Sequence, residues 1–249
     1  MRTNTVVSHT EWVEARKNHL AREKEFTRLR DQLSQERREL PWELVEKEYT
    51  FEGGHGAQTL SDLFGGRSQL VVYHAMFNPA TAGPRTSWTV DAACFTCSYW
   101  LDNFDGITVH LNHRDISIVA VSLAPYPAIA AYRERMGWRF PWLSSAGSDF
   151  NFDYRVSFTR EQLAAGDTDY NYGRHFPASE APGISVFFKD GEGHVFHTYS
   201  TYARGLDMLN LAYHYLDIVP KGRDEGPRGG GEWVRRRDEY AEPKSASCH

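Results

Sequence analysis

Two cysteines that lie close together in the sequence are the residues best suited to chemistry. Cys94 and Cys97 are separated by Phe95 and Thr96, so on a helix they lie about one turn apart. A thiol at the first turn of a helix ionises more easily than a free thiol, because the N–H groups there favour its thiolate. We therefore predict a redox-active pair in which Cys94 attacks a disulfide and Cys97 resolves the mixed disulfide.

The segments around this pair predict the fold that positions it. A run rich in β-forming residues at 69–77 comes first, a loop follows at 78–90, and a helix begins at Cys94. Then come a strand at 116–122, a helix from Ala124, a strand ending near Ser145, a hairpin of 184–190 and 194–200, and a helix to Leu216. This order is that of the thioredoxin fold, so we predict an α/β, thioredoxin-like domain with a mixed central sheet.

A proline stands where this fold places one opposite the dithiol. Ala181 and Pro182 come immediately before the strand 184–190. In the thioredoxin fold the proline at this place is cis, and the backbone before it pairs with an extended substrate. We predict Pro182 and Ala181 as substrate-binding residues. An ordinary trans-proline at the start of a strand is the alternative.

Other uses of the two thiols stay open. The spacing from the pair to His110 and His113 approaches that of a zinc finger, but the last gap is too short and the segment is embedded between strands. Two inert thiols on a core-facing helix are a further alternative. The protein would then be a thioredoxin-like binding or scaffold protein. We expect neither a metal nor another cofactor.

A peroxiredoxin site, which occurs on a related fold, is not predicted. The signature of that family places proline seven residues, and threonine or serine three residues, before the peroxidatic cysteine. Cys94 is preceded at those positions by Ser87 and Asp91. Cys97 is preceded by Val90 and Cys94, so neither thiol matches the signature.

Two histidines are candidates for an accessory role. His74 and His197 lie at the ends of predicted strands. A histidine placed there near the dithiol exchanges protons with the thiol groups. The alternative for each is a histidine that the core holds in hydrogen bonds. Cys248, in the C-terminal tail, is predicted to be an exposed thiol without a role.

Motifs spread over most of the chain resemble a single family. They are Glu39–Trp42, Tyr73–Phe77, Cys94–Gly106, Met136–Trp142, Ser148–Asp153 and His197–Tyr202. On these residues the chain is identified as a member of the DUF899 family, described as thioredoxin-like and as predicted dithiol-disulfide oxidoreductases. The resemblance implies a thioredoxin-like fold and redox activity at Cys94 and Cys97. The dipeptide between them differs from the Gly-Pro of thioredoxin, so the direction of the reaction stays open.

The chain is predicted to contain one domain with additions. Residues 1–45 form a charged helical extension, 46–220 the thioredoxin-like domain, and 221–249 a flexible connector and tail. An aromatic-rich insertion at about 146–181 either covers the dithiol or enlarges the core. The amphipathic N-terminal helix offers a surface for homo-oligomers.

Composition narrows the class of protein further. With 28 Lys and Arg against 33 Asp and Glu, the net charge of −5 provides no general attraction for nucleic acid. No apolar run is long enough to cross a membrane, and the N-terminus lacks the apolar segment of a signal peptide. We expect a cytoplasmic protein. Its expected partners are a disulfide-containing substrate, protein or small molecule, and a thiol electron donor.

Overall fold

The structure divides into two units. The computed structural model describes residues 4–226 and 231–240. The first unit is Met1–Pro41 and the second is Trp42–His249. The sequence assigns residues 1–45 to the extension, whereas residues 43–44 form an edge strand of the second unit.

The described part of the first unit consists mainly of one helix, α1 (His9–Arg38). It begins with a capping box, in which Ser8 and Glu11 satisfy each other's backbone N–H groups. Within the unit an ion pair joins Arg16 to Glu23. None of the α1 residues is buried, so the helix depends on its cap and its surface pairs.

The strands of the second unit form one main sheet and one small hairpin. They are β1 (Glu43–Leu44), β2 (Thr50–Gly53), β3 (Gly56–Thr59), β4 (Gln69–His74), β5 (Ile116–Ser122), β6 (Trp142–Ser144), β7 (Asp169–Tyr170), β8 (Arg174–His175), β9 (Gly183–Lys189) and β10 (Val195–Tyr202). The main sheet has the order β1-β10-β9-β4-β5-β6-β2-β3, and β7 pairs with β8.

The arrangement of the central strands defines the fold. β4 and β5 are parallel, with Tyr73 opposite Ala120. β9 runs antiparallel to β4, and β10 runs antiparallel to β9. A parallel pair joined by a helical crossover, with an antiparallel hairpin beside the first strand, is the thioredoxin arrangement. The predicted α/β, thioredoxin-like fold with a mixed sheet is confirmed.

The main sheet separates two cores. β4 and β5 are rich in apolar and β-branched residues because both of their faces are covered. Since successive side chains of a strand point to opposite faces, Tyr73 packs with the core that contains Cys94 and Cys97. Val72 and His74 face the other core, where His74 stacks on Phe150.

Helices cover both faces of the sheet. They are α2 (Phe95–Leu101), α3 (Phe104–His113), α4 (Tyr126–Met136), α5 (Phe150–Asp153), α6 (Arg160–Ala165) and α7 (Leu211–Leu216). The predicted last helix is in fact a 3-10 turn at Ala203–Leu209 followed by α7, because Asn210 caps a new helix start. Among the described residues, no helix has the length and apolar character needed to cross a bilayer.

The predicted insertion at 146–181 builds a small core of its own. It contains α5, α6 and the hairpin of β7 and β8. Its apolar side chains pack with the end of β10 in a cluster of Val156, Phe158, Tyr170, Ala181 and Tyr202. The insertion therefore enlarges the domain at the edge that carries Pro182.

Residues 231–240 pack on the domain, although the sequence predicts a flexible tail there. Val234 is fully buried, and Arg236 is only 7% exposed. Arg236 is buried because it finds polar partners at the start of α2. Cys248, predicted to be an exposed thiol, lies outside the described residues.

Candidate active site

The predicted helix start places the dithiol at the end of the central strand β4. Cys94 is the N-cap of α2, and its N–H donates to the carbonyl oxygen of Met76 at 2.9 Å. The N–H of Met76 in turn points at Cys97 Sγ, 3.4 Å away. Both cysteines are free thiols and both are buried. The backbone just after β4 thus holds both residues of the pair.

Cys94 has the surroundings of a stabilised thiolate. The Ser87 hydroxyl donates to its sulfur at 2.9 Å, and the Thr96 hydroxyl lies 2.8 Å from it. Burial raises the pKa of Cys94, but hydrogen bonds from Cys97, Ser87 and Thr96 outweigh burial and lower the pKa to about 6. The predicted nucleophile is therefore mostly ionised at neutral pH.

Cys97 has the opposite character. Burial and its hydrogen bond to Cys94 raise the pKa of the Cys97 thiol well above the ordinary range. Tyr73 of β4 packs in the same core as the pair, and its hydrogen bond with the Cys97 sulfur lowers the pKa of Cys97. A protonated Cys97 beside an ionised Cys94 is the arrangement expected of a resolving and an attacking thiol.

Arg236 fixes the backbone at the start of α2. Its Nε and Nη2 donate to the carbonyl oxygen of Ala93 at 3.0 and 2.7 Å, and its Nη1 pairs with Glu239 at 2.9 Å. One turn into the helix, Ser98 donates to the carbonyl oxygen of Cys94 at 2.9 Å. The loop-to-helix junction that carries the nucleophile is thus held from both sides.

A cavity of about 190 Å³ opens beside the pair. Its walls are formed by Tyr73, Thr96, Cys97, Trp100, Pro182, Ala203, Arg204, Leu206, Asp207, Tyr213, Arg223 and Glu225. Much of this wall belongs to residues 203–225, which we call the covering segment. Cys94 is fully buried and does not line the cavity. Thr96 lines the cavity and its hydroxyl lies 2.8 Å from the Cys94 sulfur, so the cavity ends within one side chain of that sulfur.

The Ala181–Pro182 peptide lies at the predicted place. Pro182 lines the cavity with Cys97. The described residues contain no cis peptide bond, so Pro182 has the trans form, which the sequence left open as the alternative. Its carbonyl oxygen accepts a hydrogen bond from the Tyr170 hydroxyl at 2.7 Å. The Ala181 N–H donates to the Val156 carbonyl oxygen at 2.8 Å.

His74 and His197 do not lie at the dithiol, so the predicted accessory role is wrong in its geometry. His74 follows Tyr73 in β4 and therefore points to the other face of the sheet. It is held between Asn151 at Nδ1 and Ser185 at Nε2, each 3.0 Å away. Burial lowers the pKa of His74 to about 4. The alternative, a histidine satisfied within the core, is correct for His74.

His197 continues the same hydrogen-bonded chain to the surface. Its Nε2 lies 2.7 Å from the Ser200 hydroxyl, which lies 2.9 Å from that of Ser185. Its Nδ1 lies 3.3 Å from a Glu43 carboxylate oxygen, beside a separate cavity of about 400 Å³. An irregularity between His197 and Tyr199 shifts the register of β10, so His197 and Ser200 share a face.

The four side chains of the zinc alternative differ in their burial. His110 and His113 are exposed on α3, whereas both cysteines are buried. In residues 4–226 and 231–240, the group of side chains close enough to hold an ion is Asp190, Glu192 and His194, in the exposed hairpin turn. That group contains neither thiol.

Three residues of the site are not predicted from the sequence: Tyr73, Ser87 and Arg236. Tyr73 is detectable in principle, since alternation along β4 puts it on the face opposite His74. Ser87 stands where the peroxiredoxin signature has proline. The sequence shows that the two residues differ, but it does not show that the Ser87 hydroxyl contacts Cys94. Arg236 belongs to a run of three arginines, and nothing in the run marks the central one as buried.

A family model extends over nearly the whole chain. It is described as "Bacterial protein of unknown function (DUF899)" and matches residues 1–240. The chain therefore belongs to this family, as its motifs indicated. No curated protein matches the chain.

Solved structures with a similar chain trace include three peroxiredoxins. Peroxidoxin BcpB from Mycobacterium tuberculosis is 16% identical, with a TM-score of 0.42 over 68% of this chain and 93% of that chain. A mutant of peroxiredoxin Q from Xanthomonas campestris is 15% identical, with a TM-score of 0.43 over 72% and 97%. The mitochondrial 2-Cys peroxiredoxin from Plasmodium falciparum is 10% identical, with a TM-score of 0.40 over 71% and 93%. The fold assignment rests on strand order.

Proposed function

We propose that this protein is a thiol-disulfide oxidoreductase that uses Cys94 as nucleophile and Cys97 as resolving thiol. The observation that carries the proposal is geometric: two free thiols lie at the start of α2, and the Ser87 and Thr96 hydroxyl groups lie 2.9 and 2.8 Å from the Cys94 sulfur. The Cys94 sulfur accepts hydrogen bonds that lower its pKa to about 6, whereas burial and its neighbour raise the pKa of Cys97. Attack requires a thiolate, and resolution requires a second thiol within reach.

The reaction proceeds in two exchanges. The Cys94 thiolate attacks one sulfur of a disulfide R–S–S–R′, forms a mixed disulfide with R, and releases R′ as a thiolate that takes up a proton. Cys97 then loses its proton and attacks the Cys94 sulfur, which breaks the mixed disulfide and releases R as a thiol. The substrate gains two electrons, and the Cys94–Cys97 disulfide that remains is reduced by a dithiol donor.

Residues around the pair have separate parts in these steps. Ser87 and Thr96 stabilise the attacking thiolate through their hydroxyl groups. Tyr73 contacts Cys97 and stabilises its charge during resolution. Arg236 positions the helix start through the Ala93 carbonyl oxygen and does not touch either sulfur in the hydrogen bonds described.

Alkylation followed by mass measurement tests the proposal. The protein is studied with Cys248→Ser, so that only the dithiol is counted, and is alkylated before and after treatment with hydroxyethyl disulfide. We expect two alkylatable thiols before the treatment and none after it. Subsequent reduction with dithiothreitol should restore both thiols. Cys97→Ser is expected to retain one R group on Cys94, and Cys94→Ser is expected to retain none.

The same measurement distinguishes the alternatives. If the dithiol keeps both free thiols in excess hydroxyethyl disulfide, it is inert and the protein is a binding or scaffold protein. If a zinc ion copurifies at one per chain and is lost in Cys94→Ser, the pair is a metal ligand. Either result contradicts the proposed oxidoreductase.

A further inference from the structure

We infer that the dithiol acts on low-molecular-weight disulfides and excludes disulfides held in polypeptides. This inference rests on the proposed function and narrows its substrate class. Three features carry it: the occupied backbone at Ala181–Pro182, the tethered covering segment, and the size of the cavity beside Cys97.

The backbone that would pair with a polypeptide is already in use. An extended substrate binds as an added strand only where N–H and carbonyl groups are free. The Ala181 N–H donates to Val156, and the Pro182 carbonyl oxygen accepts from Tyr170. Pro182 has no N–H to offer. Residues of the insertion thus occupy two of the backbone groups that an extended polypeptide would need.

The covering segment is tied down over the pair by several independent contacts. Trp100 of α2 donates through Nε1 to the Leu206 carbonyl oxygen at 2.9 Å. The Tyr170 hydroxyl also accepts from the Ala203 N–H at 2.8 Å. Arg223 pairs with Asp207 at 2.7 Å and lies 4.1 Å from the ring centre of Tyr213. These contacts hold the covering segment against α2 and the insertion.

The cavity that remains fits a small molecule. Its volume of about 190 Å³ lies below the roughly 300–1,000 Å³ of pockets that take drug-sized ligands. The charges on its wall cancel, with Arg204 and Arg223 against Asp207 and Glu225. Because Tyr73 and Trp100 add aromatic surface, the wall favours a small uncharged disulfide.

The reaction balances for such a substrate. The symmetric disulfide R–S–S–R takes two electrons from the Cys94 thiolate and the Cys97 thiol, one proton from Cys97 and one proton from water. It leaves as two R–SH molecules, and the Cys94–Cys97 disulfide remains. The oxidant is the disulfide itself, and no other co-reactant is needed for this half of the cycle.

A comparison of two disulfides tests the inference. The reduced protein with Cys248→Ser is mixed with hydroxyethyl disulfide or with insulin, and the loss of alkylatable thiols is timed. Dithiothreitol, reacted with the same two disulfides, gives the rate ratio of an unhindered dithiol. For each reductant, the rate with hydroxyethyl disulfide is divided by the rate with insulin. We expect this ratio to be on the order of 100-fold larger for the protein than for dithiothreitol.

A matched pair of variants tests the cavity as the route. Arg204 lines the cavity, and its side chain is 80% exposed, so Arg204→Trp narrows the opening without disturbing the core. Arg160→Trp adds the same ring to an exposed position on α6. We expect Arg204→Trp to slow the reaction with hydroxyethyl disulfide about 10-fold and Arg160→Trp to leave it unchanged.

The outcomes separate the inference from the proposed function. If the protein shows the same rate ratio as dithiothreitol, or prefers insulin, the small-molecule inference is overturned while the oxidoreductase stands. Equal rates in Arg204→Trp and Arg160→Trp overturn the cavity as the route. If neither disulfide oxidises the pair, the proposed function and the inference both fail.

Discussion

The guanidinium group of Arg236 donates two hydrogen bonds to the carbonyl oxygen of Ala93, the residue directly before Cys94. These two residues are far apart in the sequence, yet the contact fixes the backbone from which the Cys94 sulfur projects. Hydrogen bonds from a buried charged group are stronger than those between neutral groups. Residues 231–240 are therefore part of the structure that holds the candidate site.

Removing this contact is expected to weaken both the fold and the protection of the thiol. Arg236→Ala leaves the Ala93 carbonyl oxygen unpaired and should lower the free energy of unfolding by about 2 kcal/mol. Because the start of α2 is released, Cys94 should also be alkylated faster. Urea unfolding and timed alkylation measure the two effects. Arg235→Ala, at an exposed neighbouring position, is the control. Equal stability of the two variants would contradict the role of Arg236.

The ionisation of Cys94 is expected to depend on its serine neighbour. The ultraviolet absorbance of the thiolate should titrate with a midpoint near pH 6 in the protein with Cys248→Ser, since hydrogen bonds lower the pKa of Cys94 to about 6. Ser87→Ala removes one donor and should raise the midpoint by about 1 pH unit. Ser68→Ala, next to the opposite end of β4, is the control. An unchanged midpoint in Ser87→Ala would remove Ser87 from the site.

This lowered pKa has a defined effect on stability. Between the folded pKa of about 6 and the ordinary cysteine pKa of about 8.5, the unfolded chain binds more protons than the folded chain. The contribution of Cys94 to the free energy of unfolding therefore rises with pH across that interval and is lost as pH falls through 6.

The Tyr73 hydroxyl is expected to act on the second exchange alone. Without its hydrogen bond, the pKa of Cys97 rises further, so Tyr73→Phe should slow resolution by about 3-fold for each unit of that rise. The mixed disulfide on Cys94 should then accumulate, which quenched samples show by mass. Tyr99→Phe removes a hydroxyl that has no hydrogen-bond partner within residues 4–226 and 231–240, and this variant serves as the control. Equal slowing of both exchanges would place Tyr73 elsewhere in the mechanism.

His74 is expected to govern acid stability and not reactivity. Its pKa is lowered to about 4 by burial, so between pH 6.5 and 4 the unfolded chain binds the extra proton. The contribution of His74 to stability is thus present above pH 6.5 and falls with pH, by up to about 3 kcal/mol at pH 4. Urea unfolding of the wild type and of His74→Gln measures this effect. Between pH 6.5 and 4, the free energy of unfolding should fall by about 3 kcal/mol more in the wild type than in the variant.

The same variant checks where His74 lies. Because His74 faces the core opposite Cys94, His74→Gln should leave the midpoint of the Cys94 thiolate titration unchanged. A displaced midpoint would contradict the separation of the two cores by the sheet.

The parts of the site that the sequence predicts are those encoded by local pattern. Cys94 at a helix start follows from a strand, a loop and a helix in succession, and the hairpin around Gly191–Gly193 follows from turn residues between apolar runs. These signals are short-range, so no knowledge of packing is needed. The thioredoxin-like order of elements could be predicted for the same reason.

The parts that the sequence does not predict depend on contacts between distant segments. His197 reaches the face of Ser200 only because β10 has an irregularity, which no residue type marks. Arg236 differs from its neighbours only in being buried. The hydrogen bond from Tyr170 to Pro182 joins the insertion to the site through one side chain. Such contacts depend on three-dimensional packing. The spacing of apolar residues along the sequence does not specify them.

The covering segment and Arg236 also determine when the thiols become protected during synthesis. The ribosome makes the chain from its N-terminus, so Cys94 and Cys97 emerge well before residues 203–225 and long before Arg236. Until those residues follow, a nascent chain carries both thiols without this part of their surroundings. A chain interrupted near residue 200 would keep both cysteines but lack Leu206 and Tyr213, which pack in their core, and Arg236, which holds the backbone before Cys94.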